Sequence, residues 1–86
     1  MIKDKALIYP NPSFGNSTVR FTAQNEWVKI DVYDVNNKIV AAVYDGNLSQ
    51  GQHDVPMEII TLSPGNYFVR IQKSSGTITT KLSKVK

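Results

Sequence analysis

Apolar and polar positions alternate with a period of two in three separate stretches of this 86-residue chain. Val28, Ile30 and Val32 alternate with polar or aromatic neighbours, and the same pattern recurs at 67–72 and 18–22. Successive side chains of a β-strand point to opposite faces of its sheet, so this period indicates strands with one buried face. No stretch sustains the period of an amphipathic helix. We therefore expect an all-β fold.

Turn-forming residues divide the chain into seven predicted strands. Asn36 and Asn37 lie between two apolar stretches and predict a two-residue hairpin loop, because asparagine tolerates a positive φ better than other non-glycine residues. A last hairpin is expected to close at 74–76, and a longer connection to run from 45 to 51. The predicted strands lie at about 6–9, 17–22, 27–34, 38–45, 52–56, 66–73 and 77–85. This spacing predicts a seven-stranded antiparallel immunoglobulin-like β-sandwich.

Length and composition predict a single folded domain. Hydrophobic residues make up 41% of the chain and charged residues 20%, which is typical of a globular module. We interpret residues 1–5 as the remnant of a linker and residues 6–86 as the domain. No apolar stretch approaches the roughly 20 residues of a membrane span, and none follows residues 1–5 as it would in a cleavable signal peptide.

Few residue types are available for catalysis or metal binding. The chain has no cysteine, which excludes disulfides, a zinc–thiolate site and a cysteine nucleophile. His53 is the only histidine, and no nucleophile elbow accompanies it, so we favour an ordinary turn or strand position for it. Solvated strand faces and turn caps explain the aspartates better than a calcium loop does, at Asp31, Asp34, Asp45 and Asp54. The sequence predicts no enzyme and no cofactor.

Positive charge is concentrated in the C-terminal third of the chain. Residues 59–86 hold five basic residues and no acidic residue, whereas residues 1–58 hold five basic and seven acidic residues. Arg70 and Lys73 near Phe68 faintly resemble a stacking platform for nucleic acid. A charged strand that resists edge-to-edge pairing explains them equally well, so nucleic acid is not expected as a partner.

A proline-rich motif follows the first predicted strand. It reads Tyr9-Pro10-Asn11-Pro12, with Gly15 three residues later. The two prolines fix φ and withhold two backbone donors, and Pro12 favours an extended conformation at Asn11. We expect this segment to end its strand and to form a corner of the sandwich.

A second motif extends from Leu62 to Ile71. Gly65 follows a proline and precedes a strand, and we expect it to relieve a turn so that Tyr67 enters the core in register. Both motifs are compatible with a purely structural role.

In their order and spacing, these motifs resemble the C-terminal sorting domain of cargo proteins of the Bacteroidetes type IX (Por) secretion system, of the kind called type A. The resemblance extends from Leu7 to Lys86 and includes a glycine before the fifth strand and a basic last strand. One departure is Asn37, where family members usually have glycine; asparagine is the next-best residue for a left-handed conformation. The residues that carry the resemblance are Tyr9, Pro10, Asn11, Pro12, Gly15, Asp34, Lys38, Gly51, Leu62, Gly65, Tyr67, Val69, Ile71, Lys81, Lys84 and Lys86.

The resemblance implies a non-catalytic secretion signal. Such a domain directs a covalently joined upstream cargo through the type IX outer-membrane translocon, with the help of a shuttle, and is then usually removed by a sortase-like transpeptidase. The implied route passes through the periplasm and ends at the cell surface or outside the cell. The surface expected to be recognised combines the corner at 10–15, the Gly65 turn and the last strand through Lys86, whose lysines would attract an acidic partner.

The alternative is an accessory carbohydrate- or protein-binding β-sandwich module of a secreted enzyme. Such a module would present a flat strip of exposed aromatic residues, such as Trp27 and Tyr44. Burial of Trp27 is nevertheless expected, because it begins a strand beside core positions. Neither interpretation requires a cofactor, nucleic acid or insertion into a membrane.

Overall fold

The computed structural model describes residues 5–85, which form two antiparallel sheets packed as a sandwich. The strands are β1 (Leu7–Tyr9), β2 (Ser17–Ala23), β3 (Glu26–Tyr33), β4 (Ile39–Leu48), β5 (Gly51–Met57), β6 (Gly65–Lys73) and β7 (Gly76–Lys84). One sheet has the order β1-β2-β5 and the other the order β4-β3-β6-β7. This architecture confirms the predicted seven-stranded sandwich. Residues 5–85 contain no helix long and apolar enough to cross a membrane.

The alternating positions of the strands build one core between the sheets. Burial of a large aliphatic side chain stabilises a fold by roughly 1.5–3 kcal/mol, so this core is the main source of stability. The core residues are Ile8, Val19, Phe21, Ala23, Val28, Ile30, Val32, Val55, Met57, Ile59, Tyr67, Val69, Ile71 and Leu82.

The connections between strands lie at two opposite ends of the sandwich. One end, which we call the upper end, is formed by residues 10–16, 34–38, 58–64 and 85. The opposite end, which we call the lower end, is formed by residues 5–6, 24–25, 49–50 and 74–75. The first described residue therefore lies at the end opposite to the proline-rich motif.

Five residues, 34–38, connect β3 to β4, so the predicted two-residue loop is wrong. The Asp34 N–H donates to the Lys38 carbonyl at 2.9 Å, and the Asn37 N–H donates to the Asp34 carbonyl at 3.0 Å. Asn37 has a φ of 65°, the left-handed conformation expected for it. The Asp34 carboxylate also accepts the N–H groups of Asn36 and Lys38, which stabilises the longer loop.

The predicted long connection after β4 is also wrong. β4 continues through Leu48, and only residues 49–50 lead into β5. Gly46 and Asn47 indicate a turn by their residue types, but they pair with β3, and this pairing overrides local preference. Gly51 has a φ of +130°, and no atom lies within 4 Å of the position that an added Cβ would occupy. A side chain there would therefore be strained by the backbone conformation and not by crowding.

Two burial expectations on β3 fail. Trp27 is 44% exposed, because its neighbours Glu26 and Val28 face the interior and successive side chains of a strand point to opposite faces. Asp31 is only 3% exposed, although a solvated position was expected. The Asp31 carboxylate lies 3.6 Å from the Lys29 Nζ, so this buried charge has an ion-pair partner.

Candidate recognition surface

The proline-rich motif carries the chain from one sheet to the other. β1 ends at Tyr9, which pairs with β2. Four residues later, the Ser13 N–H donates to the Ser83 carbonyl and the Ser13 carbonyl accepts the Val85 N–H, both at 2.8 Å. Ser13 and Lys84 thus form a parallel bridge at the outer edge of β7. The expected corner is present, and it joins the first strand to the last.

The side chain of Asn11 pairs with β7 as a peptide group would. Its Nδ2 donates to the Lys81 carbonyl, and its Oδ1 accepts the Ser83 N–H, each at 3.0 Å. Pro10 and Pro12 have no N–H to offer to a neighbouring strand. The amide of Asn11 supplies the missing donor and acceptor at this point.

Three further polar residues hold the same loop. The Ser13 hydroxyl donates to the Gly15 carbonyl at 2.7 Å, and the Ser17 hydroxyl donates to the Pro10 carbonyl at 2.8 Å. The Asn16 Oδ1 accepts the N–H groups of residues 59 and 60, each at 3.0 Å. Ser13, Asn16 and Ser17 were not among the predicted site residues. Serine and asparagine indicate a turn by type, but the sequence does not reveal that Asn16 reaches the loop before β6.

The second motif is fixed from inside the core. Tyr67 is buried, as expected, and its hydroxyl donates to the Ser63 carbonyl at 2.6 Å. This hydrogen bond closes the turn that precedes β6. Gly65 pairs with Lys84 and has a φ of +156° with no atom within 4 Å of an added Cβ. The turn therefore lies directly beside the end of β7.

The lysines of the last strand are not equivalent. Lys81 is exposed, whereas Lys84 is only 6% exposed and lies on the same face as the core residue Leu82. Lys84 is therefore not the freely exposed cation that was expected, because its aliphatic stem is covered by protein. Lys86 lies outside the described residues.

The structure brings most, but not all, of the predicted site residues together. Those at the upper end, or in the adjoining parts of β6 and β7, are Pro10, Asn11, Pro12, Gly15, Asp34, Lys38, Leu62, Gly65, Lys81 and Lys84. Val69 and Ile71 are fully buried in the core, and Gly51 lies at the lower end. Tyr9 is half-buried, with the Arg20 guanidinium 5.3 Å from its ring centre.

A family model described as the secretion system C-terminal sorting domain matches residues 7–85. The chain belongs to this family. It is therefore a type IX secretion C-terminal sorting domain. Membership of this family indicates that the protein is exported towards the cell surface or the extracellular space. No curated protein matches the chain. The match begins at the first residue of β1 and ends at Val85, so it includes both partners of the Ser13 bridge.

The upper end of the sorting domain also exposes most of its large apolar side chains. Phe14 is 73% exposed and Ile60 is 62% exposed, and Gly15 lies beside Ile60. Five of the seven large exposed hydrophobic residues of the described chain lie at or near this end, and they are Phe14, Val35, Ile39, Ile60 and Phe68. Apolar patches of this kind mark interaction sites more often than isolated apolar residues do.

An ion pair on the β1-β2-β5 sheet lies beside Tyr9, the first residue of the proline-rich motif. Arg20 on β2 donates two hydrogen bonds to the Asp54 carboxylate on β5, at 2.8 and 3.2 Å, and its guanidinium also lies over Tyr9. The hydrogen bond from Arg20 lowers the pKa of Asp54 below its ordinary value. Both side chains are nearly half exposed, so the pair orients Tyr9 more than it stabilises the sorting domain.

The lower end is closed by a buried carboxylate. Glu26 accepts the N–H of Gln24 at 2.9 Å, the N–H of Ser75 at 2.8 Å and the hydroxyl of Ser75 at 3.1 Å. Burial by itself raises the pKa of Glu26, but these donors and the nearby Lys73 outweigh burial and lower the pKa below its ordinary value. Lys73 donates to the Thr22 carbonyl at 2.9 Å, so two sheets and two turns meet here.

The arrangement does not form the aromatic strip of a carbohydrate-binding module. Tyr44 pairs with the core-facing Ile30 and packs against the core, whereas Trp27 points to the opposite face of the same sheet. His53 lies on β5, and its Nε2 donates to the Ser49 carbonyl at 2.7 Å. No group of three His, Asp or Glu side chains within residues 5–85 lies close enough to hold a metal ion.

Proposed function

We propose that the type IX machinery recognises this sorting domain as a folded unit, through its upper end. The observation that carries the proposal is the pairing of Asn11 and Ser13 with β7. This pairing joins the start and the end of the family match into one rigid surface. Because apolar groups on such a surface are already ordered, less conformational entropy of the domain is lost when a partner binds.

The direction of the chain supports this assignment. A cargo joined to the N-terminus would be attached at the lower end. Five residue steps, from Lys5 through β1 to Pro10, separate this attachment point from the upper end by roughly 16 Å, at about 3.3 Å per residue. The upper end would therefore stay accessible while the cargo remains attached.

The chemistry of the upper end favours a partner with an apolar patch and acidic groups around it. Phe14 and Ile60 supply the apolar contacts, and the exposed Lys38 and Lys81 supply positive charge at the sides. Charge of this kind raises the rate of association more than the affinity, and its effect weakens with salt.

The family resemblance supplies the remaining steps of the proposal. The domain, residues 6–86, would pass with its cargo through the periplasm and be presented by a shuttle to the outer-membrane translocon. A sortase-like transpeptidase would then cut in or before residues 1–6, of which residues 1–5 act as the linker. The domain is the substrate of this reaction and takes no catalytic part, and the cargo ends at the cell surface or outside the cell.

A reporter fusion tests whether export requires the folded domain. Residues 1–86 are fused behind a fluorescent protein that carries a signal peptide, in a type IX-competent host, and fluorescence outside the cells is measured. We expect export of the intact fusion and loss of export for Val28→Asp, because a charge at this fully buried position unfolds the domain. Thr22→Asp, at an exposed position of β2, is the matched control and is expected to export normally. Equal export of both variants would contradict recognition of a folded unit.

A further inference from the structure

The lower half of β7 is the least protected edge of the sandwich. β1 has only three residues and runs into Pro10, β5 contains Asp54 and Pro56, and two bulges interrupt the pairing of β4. Residues 76–80 contain no charge and no proline, and they pair with β6 without a bulge. Proteins usually protect such edges with charges, prolines or bulges, so this stretch is an exception within its own fold.

The outward backbone groups of this stretch have no partner within residues 5–85. The Lys81 carbonyl and both backbone groups of Ser83 bond to segment 11–13, so odd-numbered residues of β7 direct these groups away from β6. Thr77 and Thr79 have the same orientation, and both are exposed. Their N–H and C=O groups, with the N–H of Lys81, form a ladder that is open to another strand.

The upper half of the same edge already accepts such a partner. Asn11 and Ser13 occupy it, and their hydrogen bonds stop at the Lys81 carbonyl because the preceding residues belong to β1 in the other sheet. Lys81 and Lys84 lie in or beside the occupied half. These lysines therefore do not protect residues 76–80, and the charged-edge explanation does not apply to that stretch.

The side chains around the open edge define the chemistry of a partner. β6 and β7 contain Arg70, Lys73, Lys81 and Lys84 and no acidic residue. Lys81 is exposed on the outer face, and Arg70 lies beside Thr79 on that face. On the inner face, Ile78 is half-buried against the core. A complementary strand would carry acidic side chains on the outer face and apolar side chains on the inner face.

We propose that the edge at residues 77–81 binds an extended segment of a partner polypeptide in which acidic and apolar residues alternate. The segment adds a fifth strand to the β4-β3-β6-β7 sheet, continuing the ladder that Asn11 and Ser13 begin. Backbone hydrogen bonds hold the segment, and the alternation selects its register. This site includes Lys81, which also borders the upper end, but it includes neither Phe14 nor Ile60 and does not depend on the export function.

The probe is a capped heptapeptide of alternating valine and glutamate, added to the isotope-labelled domain. Saturable shifts are expected in the NMR amide signals of Thr77, Thr79 and Lys81, with slower hydrogen exchange at these amides. A heptapeptide of alternating valine and lysine should bind about tenfold more weakly, because it repels the basic strands.

A backbone variant tests the edge directly. Thr79→Pro removes an N–H that points away from β6, so the ladder with β6 is retained. Thr79→Val keeps this N–H and serves as the matched control. Loss of peptide binding in the first variant and normal binding in the second are expected, with folding checked by circular dichroism.

Three results would overturn the proposal. The first is absence of saturable shifts at residues 77–81 in the wild-type domain. The second is a shift pattern confined to β4 or β5. The third is equal binding by folded Thr79→Pro and Thr79→Val. The wild-type measurement stands even where Thr79→Pro fails to fold, and none of these results bears on the reporter export assay.

Discussion

The two ends of the sandwich are both held by side chains that bond to backbone groups, but they differ in what they expose. The lower end is closed by the carboxylate of Glu26 and the ammonium group of Lys73. The upper end is held by the neutral amides of Asn11 and Asn16, and it exposes Phe14 and Ile60. Both ends are thus held by hydrogen bonds, but five of the seven large exposed hydrophobic residues of the described chain lie at or near the upper end, and this difference points to recognition there.

The largest effect is expected from removing the packing beneath the upper end. Tyr67→Ala should lower the free energy of unfolding by about 3–5 kcal/mol, because it empties a buried site and opens the turn at Ser63. Tyr67→Phe retains the ring and loses only the hydroxyl hydrogen bond, so a loss of about 1 kcal/mol is expected. Chemical denaturation measures both. Equal losses would show that the hydroxyl, and not the packing, holds this end.

The second prediction concerns the pairing of the first motif with β7. Asn11→Ala removes two hydrogen bonds to the edge of β7 and should cost about 1–2 kcal/mol. Asn11→Asp keeps an acceptor for the Ser83 N–H and places an oxygen against the Lys81 carbonyl, so we expect a loss of similar size. Hydrogen exchange at the Ser83 amide should speed up in Asn11→Ala. Unchanged exchange in this variant would mean that the amide does not protect the edge.

The third prediction separates the charged lower end from the neutral upper end by pH. The pKa of Glu26 is lowered in the folded state, so its stabilising contribution is present above its ordinary value of 4.5 and is lost as pH falls through the folded pKa. The stability difference between the wild type and Glu26→Gln should be constant from neutral pH to about 5 and should then shrink. Denaturation at several pH values measures this difference. The lowered pKa of Asp54 also makes stability depend on pH, but its contribution is the same in both proteins and drops out of the difference. A difference that grows on acidification would mean that folding raises the pKa of Glu26 instead of lowering it.

The smallest stability effect is expected at the exposed apolar residues. Phe14→Ser and Ile60→Ser should each change the free energy of unfolding by less than about 0.5 kcal/mol, because both side chains are mostly in water. Thermal melting checks this. A loss of more than about 2 kcal/mol from either change would show a structural role and remove it from the recognition surface.

Local patterns account for the fold better than for the site. The alternation around Val28 and Val69 was enough to predict the strands, because burial of one face has a period of two along the chain. The extension of β4 through Gly46 was missed because pairing with β3 outweighs local turn preference. The exposure of Trp27 was missed because nearness to the core residue Val28 was taken to favour burial, although neighbouring residues of a strand point to opposite faces.

The site itself depends on contacts between residues far apart in sequence. The motif around Asn11 was recognised, but its hydrogen bonds reach β7 across 70 and 72 residues, and no local pattern encodes such a pairing. Lys84 was expected to be available as an exposed lysine, but its position in the inner face of β7 covers it. Glu26 gave no signal either, since an acidic residue at a strand start is ordinarily exposed.

The most direct test of the account compares export from the two ends in otherwise intact, folded domains. The double variant Phe14→Ser/Ile60→Ser changes the upper end, and the matched double variant Leu7→Ser/Trp27→Ser changes exposed apolar residues elsewhere. In the reporter fusion, recognition through the upper end predicts that the first double variant folds but is no longer exported, whereas the second is exported as the wild type is. Normal export of the first double variant would contradict the assignment of the upper end as the recognised surface.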